Sequence, residues 1–309
     1  MSGKQYTKDA LTILKETSRT FFVPISKLNG DPKDAVASAY LCLRAIDEIE
    51  DHEKIANKDK VKLLRNVSMK LQEYRADSTA EQLTPEWEGF ESQLPEVSLR
   101  IGEWILYCPE AMRGRIVDAT SAMSDRMANW ADRDFQINTV QDLDGYTFSV
   151  AGSVGLLLSD IWAHYDQCIT DRSLAVGFGR GLQSVNILRN KLEDKVRGVE
   201  WYPKGFTNTE MFEYAERNLA FAKLYMKSLP KGSSALLFCR IPLNLALATI
   251  SALKKGKEKL SREEVVQICN EAEDDNKAEG QDQDFIVNSI KQVDQDQQKY
   301  KQQLNGQEA

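Results

Sequence analysis

The chain predicts an all-α fold, and three features carry that expectation. Apolar residues recur at intervals of three and four along most of the 309 residues, the spacing that lines one helix face. No segment of useful length alternates apolar and polar residues in the way a half-buried strand does. Short polar or proline- and glycine-bearing stretches separate the periodic segments at helix-like lengths.

In chain order, residues 7 to 17 read as a helix, and Thr17-Ser-Arg-Thr-Phe-Phe-Val-Pro24 as a loop entering or leaving one. Asn29-Gly-Asp-Pro32 is a turn. From Pro32 a long helix through Ala35, Ala39, Leu43 and Ile46 is expected to reach about residue 56, since proline is tolerated in a first turn. Val61, Leu64, Val67 and Leu71 place a helix over 60 to 75, and 76 to 86 is a polar connector. Helical spacing resumes over 90 to 107, 109 to 130 and 142 to 162. The last of these contains Gly145, Gly152 and Gly155; each costs about 1 kcal/mol against alanine in a helix, so close packing or a deliberate break is implied.

A helix over 172 to 196 follows, then a loop at Trp201-Tyr-Pro-Lys-Gly205 and helices over 208 to 228, 233 to 254 and 261 to 272. Residues 1 to 270 therefore read as one helical domain. The acidic, Gln-rich tail from 271 to 309 is expected to be largely disordered, or to form one short helix through Ile286, Ile290 and Val293.

Bulk properties remove several function classes. A net charge of −7 disfavours a nucleic-acid binder. Five singly placed cysteines suit a reduced compartment, and two histidines are too few for a His-rich zinc site. The N-terminus lacks the apolar core of a signal peptide, and no apolar run reaches the roughly 20 residues of a membrane span. A cytoplasmic setting is expected; oligomeric state is not readable. Walker A, Gly-x-Gly-x-x-Gly, Ser-His-Asp and Cys-His patterns are absent.

Two helices carry ladders of oxygen donors. Asp47 and Asp51 are four apart, so their carboxylates share a face, with Tyr40 and Arg44 on the preceding turns. They emerge from the apolar run 35 to 46, where an unpartnered carboxylate is costly. The pair reads either as a solvated acidic face or as ligands for Mg²⁺, which takes oxygen ligands and shares them with substrate phosphates. On the helix over 172 to 196, Asn186, Asn190 and Asp194 fall at i, i+4 and i+8, with Gln183 near the top of the stripe and Leu182, Val185, Leu188 and Leu192 on the other side. These asparagines either bond within the core or hold cations. Together the ladders have room for two or three Mg²⁺ ions and a diphosphate. Tyr146 reads in isolation as a core tyrosine.

The pieces in order resemble the squalene/phytoene synthase family. Thr17-Ser-Arg-Thr-Phe and Ala39-Tyr-Leu-Cys-Leu-Arg-Ala-Ile-Asp-Glu-Ile-Glu-Asp resemble its first aspartate-rich motif and the segment before it. Tyr146 with Val150-Ala-Gly-Ser-Val-Gly resembles the family's tyrosine and the segment that follows. Leu182-Gln-Ser-Val-Asn-Ile-Leu-Arg, Glu193-Asp and Gly198-Val-Glu-Trp-Tyr-Pro resemble its second motif and the loop after it. Phe238-Cys-Arg-Ile-Pro and Ala246-Leu-Ala-Thr are similar to the squalene synthase branch.

The resemblance implies a single-domain class I terpenoid synthase fold around one deep pocket. It implies Mg²⁺-assisted loss of diphosphate from a C15 or C20 prenyl diphosphate, farnesyl diphosphate being favoured, and head-to-head condensation through a cyclopropyl intermediate to a C30 product. Asp47 and Asp51 would ligate Mg²⁺ on one wall, and Asn186, Asn190 and Asp194 on the other. Ser18, Arg19, Tyr40, Arg44, Gln183 and Arg189 would hold the substrate, and Tyr146 would handle the proton. The resemblance leaves room for NADPH in a final reduction, for which the sequence carries no nucleotide motif. Eukaryotic squalene synthases end in a membrane helix that this sequence lacks, so a soluble enzyme is expected.

Asn190 departs from the family's usual Asp-x-x-x-Asp. The Asn, Asn, Asp ladder is similar to the second metal motif of class I terpene cyclases. A single-substrate cyclase or prenyl-diphosphate hydrolase is therefore the second reading, and an inactive prenyl-lipid-binding relative the third.

Overall fold

The computed structural model describes residues 3–18, 20–196 and 198–305, with side chains from 5 to 283 within that span. A 3-10 turn, Gly3–Tyr6, leads into α1 (Thr7–Thr17), α2 (Phe22–Ser26), α3 (Gly30–Glu50) and α4 (Asn57–Gln72). Then come α5 (Ala80–Leu83), α6 (Glu96–Leu99), α7 (Ile101–Tyr107) and α8 (Glu110–Asp132). A π-helical turn, Phe148–Gly152, separates α9 (Val140–Thr147) from α10 (Ser153–Tyr165). The remainder is α11 (Arg172–Val196), α12 (Asn208–Met226), α13 (Ser234–Lys254) and α14 (Arg262–Asn305). Among the described residues there is no strand, as the periodicity predicts.

α3 runs through the centre. Its apolar and small residues from Ala35 to Ile49 are almost all buried, against α1, α6, α7, α8 and α10. Two buried serines fix it: Ser38 Oγ donates to the Trp104 carbonyl at 2.7 Å, and Ser98 Oγ donates to the Ala45 carbonyl at 2.7 Å. Each satisfies a polar group that burial would otherwise penalise. The helix expected from Pro32 to 56 starts two residues earlier and stops at Glu50. Residues 51 to 54 offer nothing to bury, and the Lys54 N–H turns back to His52 Nδ1 at 3.2 Å.

Other boundaries differ for local reasons. The segment 90 to 107 breaks at Arg100, whose side chain gathers Asp9, Glu96 and Glu103. The connector 76 to 86 holds α5, started by a reciprocal Thr79–Gln82 cap. The helix expected over 142 to 162 is interrupted by the π turn, so its glycines mark both a break and close packing. A Cβ at Gly155 would lie 2.1 Å from the Ala175 carbonyl oxygen, and one at Gly179 would lie 2.2 Å from that of Ala151. Only hydrogen fits at these two positions, and α11 is thereby pressed against α10 and the π turn.

The tail is helical where disorder or one short helix is expected. Residue 270 falls inside α14, which continues to Asn305 as one helix instead of a disordered segment or a single short helix. Cys269 and Ala272 pack on Ile241 and Leu245 of α13, and Gly280 closes on Gly232. Lys27–Glu273 and Arg240–Glu279 ion pairs, at 2.7 and 2.8 Å, hold the same face. Ile286, Ile290 and Val293 belong to α14, beyond the described side chains. By length and composition α13 is apolar enough to cross a membrane, but 67% of its most apolar window is buried inside the protein, as in a core helix.

Candidate active site

Four segments bring the site together: the end of α3, the α9–π-turn junction, the C-terminal half of α11 and the loop after α11. On α3, residues 40, 44, 47 and 51 descend one face. The Tyr40 hydroxyl donates to the Thr17 carbonyl at 3.2 Å and is within reach of Ser18. Ser18 is buried, and its Oγ accepts the Phe21 N–H at 2.9 Å, so it also shapes the turn between α1 and α2. Arg44 donates to both Asp47 and Glu48, while its Nε is buried without an acceptor. That unsatisfied donor suits an anion such as a phosphate oxygen. Arg19 lies outside the described residues.

Asp47 and Asp51 sit one turn apart at the helix end, where the Asp51 N–H donates to the Asp47 carbonyl at 2.8 Å. Burial and then the Asp51 charge push the Asp47 carboxyl up to about 7, against the pull of Arg44. The folded protein therefore holds this proton where the unfolded chain has released it. Stability falls as pH rises from the ordinary value of 3.8 to about 7 and levels off above that. Unfolding midpoints across that window check this: the slope is expected to flatten in Asp47→Asn.

Tyr146 is the centre of the site and is only 3% exposed. Its hydroxyl donates to Glu50 Oε1 at 3.5 Å. Burial, then the charges of Glu50, Asp51, Asp47 and Asp194, hold its proton well above the ordinary tyrosine range. Carboxylates of both ladders thus act on one phenol. Glu50, itself 5% exposed, is pushed well above the carboxylate range by burial and then by Asp51 and Asp47, with Lys60 and Tyr146 pulling the other way.

Glu50 was not among the residues the sequence singled out, although a glutamate beside Ile46 and Ile49 on the buried side of a helix is a readable signal. Trp130 and Trp201, which flank Tyr146, carry no such signal.

The residues of the second ladder all lie on α11 and differ in exposure along it. Asp194 is buried, Gln183 and Asn190 are half-buried, and Asn186 and Arg189 are exposed. Arg189 Nε donates to Asn190 Oδ1 at 3.1 Å, so the oxygen expected to face a cation is already engaged. Leu192, expected on the apolar stripe, is 71% exposed. Val196, at the end of the same helix, is exposed with it.

The donors fit a hard divalent cation. They are oxygens only, and burial with mutual repulsion raises the Asp47 and Glu50 carboxyls above their ordinary range. Among the described residues, no three His, Cys, Asp or Glu side chains converge on one point. Mg²⁺ held by one or two carboxylates and completed by substrate phosphates needs no such cage.

A family model for squalene/phytoene synthase matches residues 14–205, which include every residue of this site. The chain is 28% identical to the squalene synthase of Rattus norvegicus over 306 residues, covering 86% of this chain and 69% of that one. It is 30% identical to the squalene synthase of Eremothecium gossypii over 293 residues, covering 84% and 64%. TcSQS in complex with the ligand E5700 superposes with a TM-score of 0.71 at 24% identity, over 85% of this chain and 84% of that one. A dehydrosqualene synthase in complex with ligand gives 0.55 at 20% identity, over 89% and 98%. At these identities the structures speak for a shared all-α fold.

Proposed function

Because the chain belongs to the squalene/phytoene synthase family, whose members are prenyltransferase-type enzymes, we propose that it joins two molecules of farnesyl diphosphate head to head into a C30 product with Mg²⁺. The observation that carries this reading is the buried Tyr146 hydroxyl donating to Glu50 of α3, with the charges of Asp47 and Asp51 on one side and of Asp194 on the other holding its proton, so that both acidic motifs bear on one phenol.

In this reading Asp47 and Asp51 hold Mg²⁺ from α3, and Asn186, Asn190 and Asp194 hold it from α11. Bound there, the metal supplies charge to neutralise a departing diphosphate. Ser18, Arg19, Tyr40, Arg44, Gln183 and Arg189 bind and orient the phosphates. Arg44 does so by exchanging Asp47 or Glu48 for phosphate oxygens. The prenyl cation left by ionisation adds the double bond of the second substrate, and ring closure releases a proton. Tyr146 is a neutral phenol, so it accepts that proton only by passing on its own; Glu50, 3.5 Å away, takes it when ionised, the form that the Lys60 charge and the Tyr146 hydrogen bond favour against burial and the neighbouring acids.

Incubation of the purified protein with farnesyl diphosphate and Mg²⁺, followed by analysis of the extract, tests the reading. A C30 product is expected. Only C15 hydrocarbons or alcohols would assign the chain to single-substrate chemistry, the outcome that the neutral Asn190, tied to Arg189, favours. Asn190→Asp restores a charge at that position. It is expected to lower the Mg²⁺ concentration for half-maximal turnover several-fold; an unchanged requirement would make position 190 a bystander.

A further inference from the structure

Trp201 lies in the loop between α11 and α12 and stacks flat on Tyr146, with ring centroids 4.2 Å apart and planes 16° from parallel. Trp130 meets Tyr146 edge-on at 5.7 Å, so the phenol ring is held from two directions. Phe135 contacts Trp201 at 5.9 Å and 77°. Lys60 Nζ sits 5.7 Å from the Phe135 centroid and donates to the Glu50 carbonyl. The Glu50 carboxyl accepts from Tyr146. These contacts form a closed circuit: Tyr146, Trp201, Phe135, Lys60, Glu50 and back to Tyr146.

The loop that carries Trp201 is anchored at both ends. The Val199 N–H donates to the Asp194 carbonyl at 2.9 Å, and the Lys204 N–H donates to the Asn138 carbonyl at 3.1 Å. Asp194 closes the second oxygen ladder, so the position of the indole follows the end of that ladder. An indole face is a good site for a cation. The face Trp201 lays on Tyr146 is closed to one, and what remains for it there is to fix the ring it covers.

We propose that Trp201 is a positioning residue: it pins the Tyr146 phenol against Glu50 and ties that phenol to the helix end bearing Asp194. The proposal rests on the proton-handling role given to Tyr146 above. Misplacing a reacting group by about 1 Å costs on the order of 10²-fold in rate. Trp201→Ala is therefore expected to lower kcat with farnesyl diphosphate roughly 10- to 100-fold while KM changes less than about twofold. Trp201→Phe, which keeps a stacking face, is expected to recover most of that loss.

The decisive comparison is made in Tyr146→Phe, which has no hydroxyl to position. There Trp201→Ala is expected to cost nothing further. An equal cost in both backgrounds, or a Trp201→Phe variant as impaired as Trp201→Ala, would overturn the proposal.

A readout independent of turnover is the NMR spectrum of protein carrying ring-labelled ¹³C-tyrosine, with Tyr146 assigned by its loss in Tyr146→Phe. Separate signals for the two sides of a slowly flipping ring are expected to merge in Trp201→Ala. Flipping that does not change on removing the indole would count against the proposal. Absence of turnover by the unsubstituted protein would end the reaction assigned above but leave the ring-flip result to decide the role of Trp201.

Discussion

Replacing Asp47 by alanine is expected to cut kcat/KM for farnesyl diphosphate by roughly 10³-fold, about 4 kcal/mol of transition-state stabilisation. Asp47 has two functions on α3: it is half of the first oxygen ladder, and it sets the direction of the Arg44 guanidinium. Its removal takes away a proposed cation ligand and leaves Arg44 to Glu48 alone. Folding is expected to respond in the opposite sense. Above about pH 7 the carboxylate is charged, half-buried and crowded by Asp51, so its loss relieves repulsion. The unfolding midpoint at pH 8 should hold or rise while turnover disappears. Asp47→Asn separates the contributions, keeping a side chain for Arg44 without the charge. Unchanged turnover in Asp47→Ala would remove the metal and diphosphate assignment from this helix.

The second large effect is on stability. Gly179→Ala is expected to destabilise the protein by about 1–3 kcal/mol, the usual cost of overpacking, or to prevent folding. The added Cβ would lie 2.2 Å from the Ala151 carbonyl oxygen and 2.8 Å from Gly152 Cα, and both are backbone atoms with no rotamer to change. α11 would have to withdraw from the π turn and carry Asn186, Asn190 and Asp194 away from Tyr146. A folded variant should therefore lose activity beyond what its unfolded fraction explains. Gly114 in α8 is the control, since nothing lies within 4 Å of its Cβ position. Gly114→Ala is expected to stabilise by up to roughly 1 kcal/mol through helix propensity alone. Chemical denaturation of the two variants side by side checks both signs.

The two ladders were legible because a helix converts spacing into a shared face. Asp47 with Asp51, and Asn186 with Asn190 and Asp194, need only the 3.6-residue period to be grouped. Tyr146 was legible from the motif around it. Glu50 was passed over among the other acids at that helix end, although its spacing from Ile46 puts it on the buried face. The tyrosine it bonds lies 96 residues away. Trp201 was hidden because a loop has no period. The docking of α14 was hidden for a different reason. It uses Ala272, Gly280 and Asn276 with two ion pairs, a composition that hydropathy cannot distinguish from an unstructured polar tail.

The early stop of α3 has an electrostatic consequence. Its 21 residues end in Asp47, Glu48 and Glu50, with Asp51 as the capping residue, and there is no basic residue in its last turn. A helix C-terminus already bears about half a negative charge from its aligned peptide dipoles, and each added anion there costs roughly 0.3–1 kcal/mol. The protein thus keeps a local electrostatic debt at one helix end. Any divalent cation seated there would draw on both sources of negative potential and would bind the folded chain in preference to the unfolded one. Its affinity is then readable without substrate, as a rise in unfolding temperature that saturates with cation concentration and shrinks in Asp51→Asn.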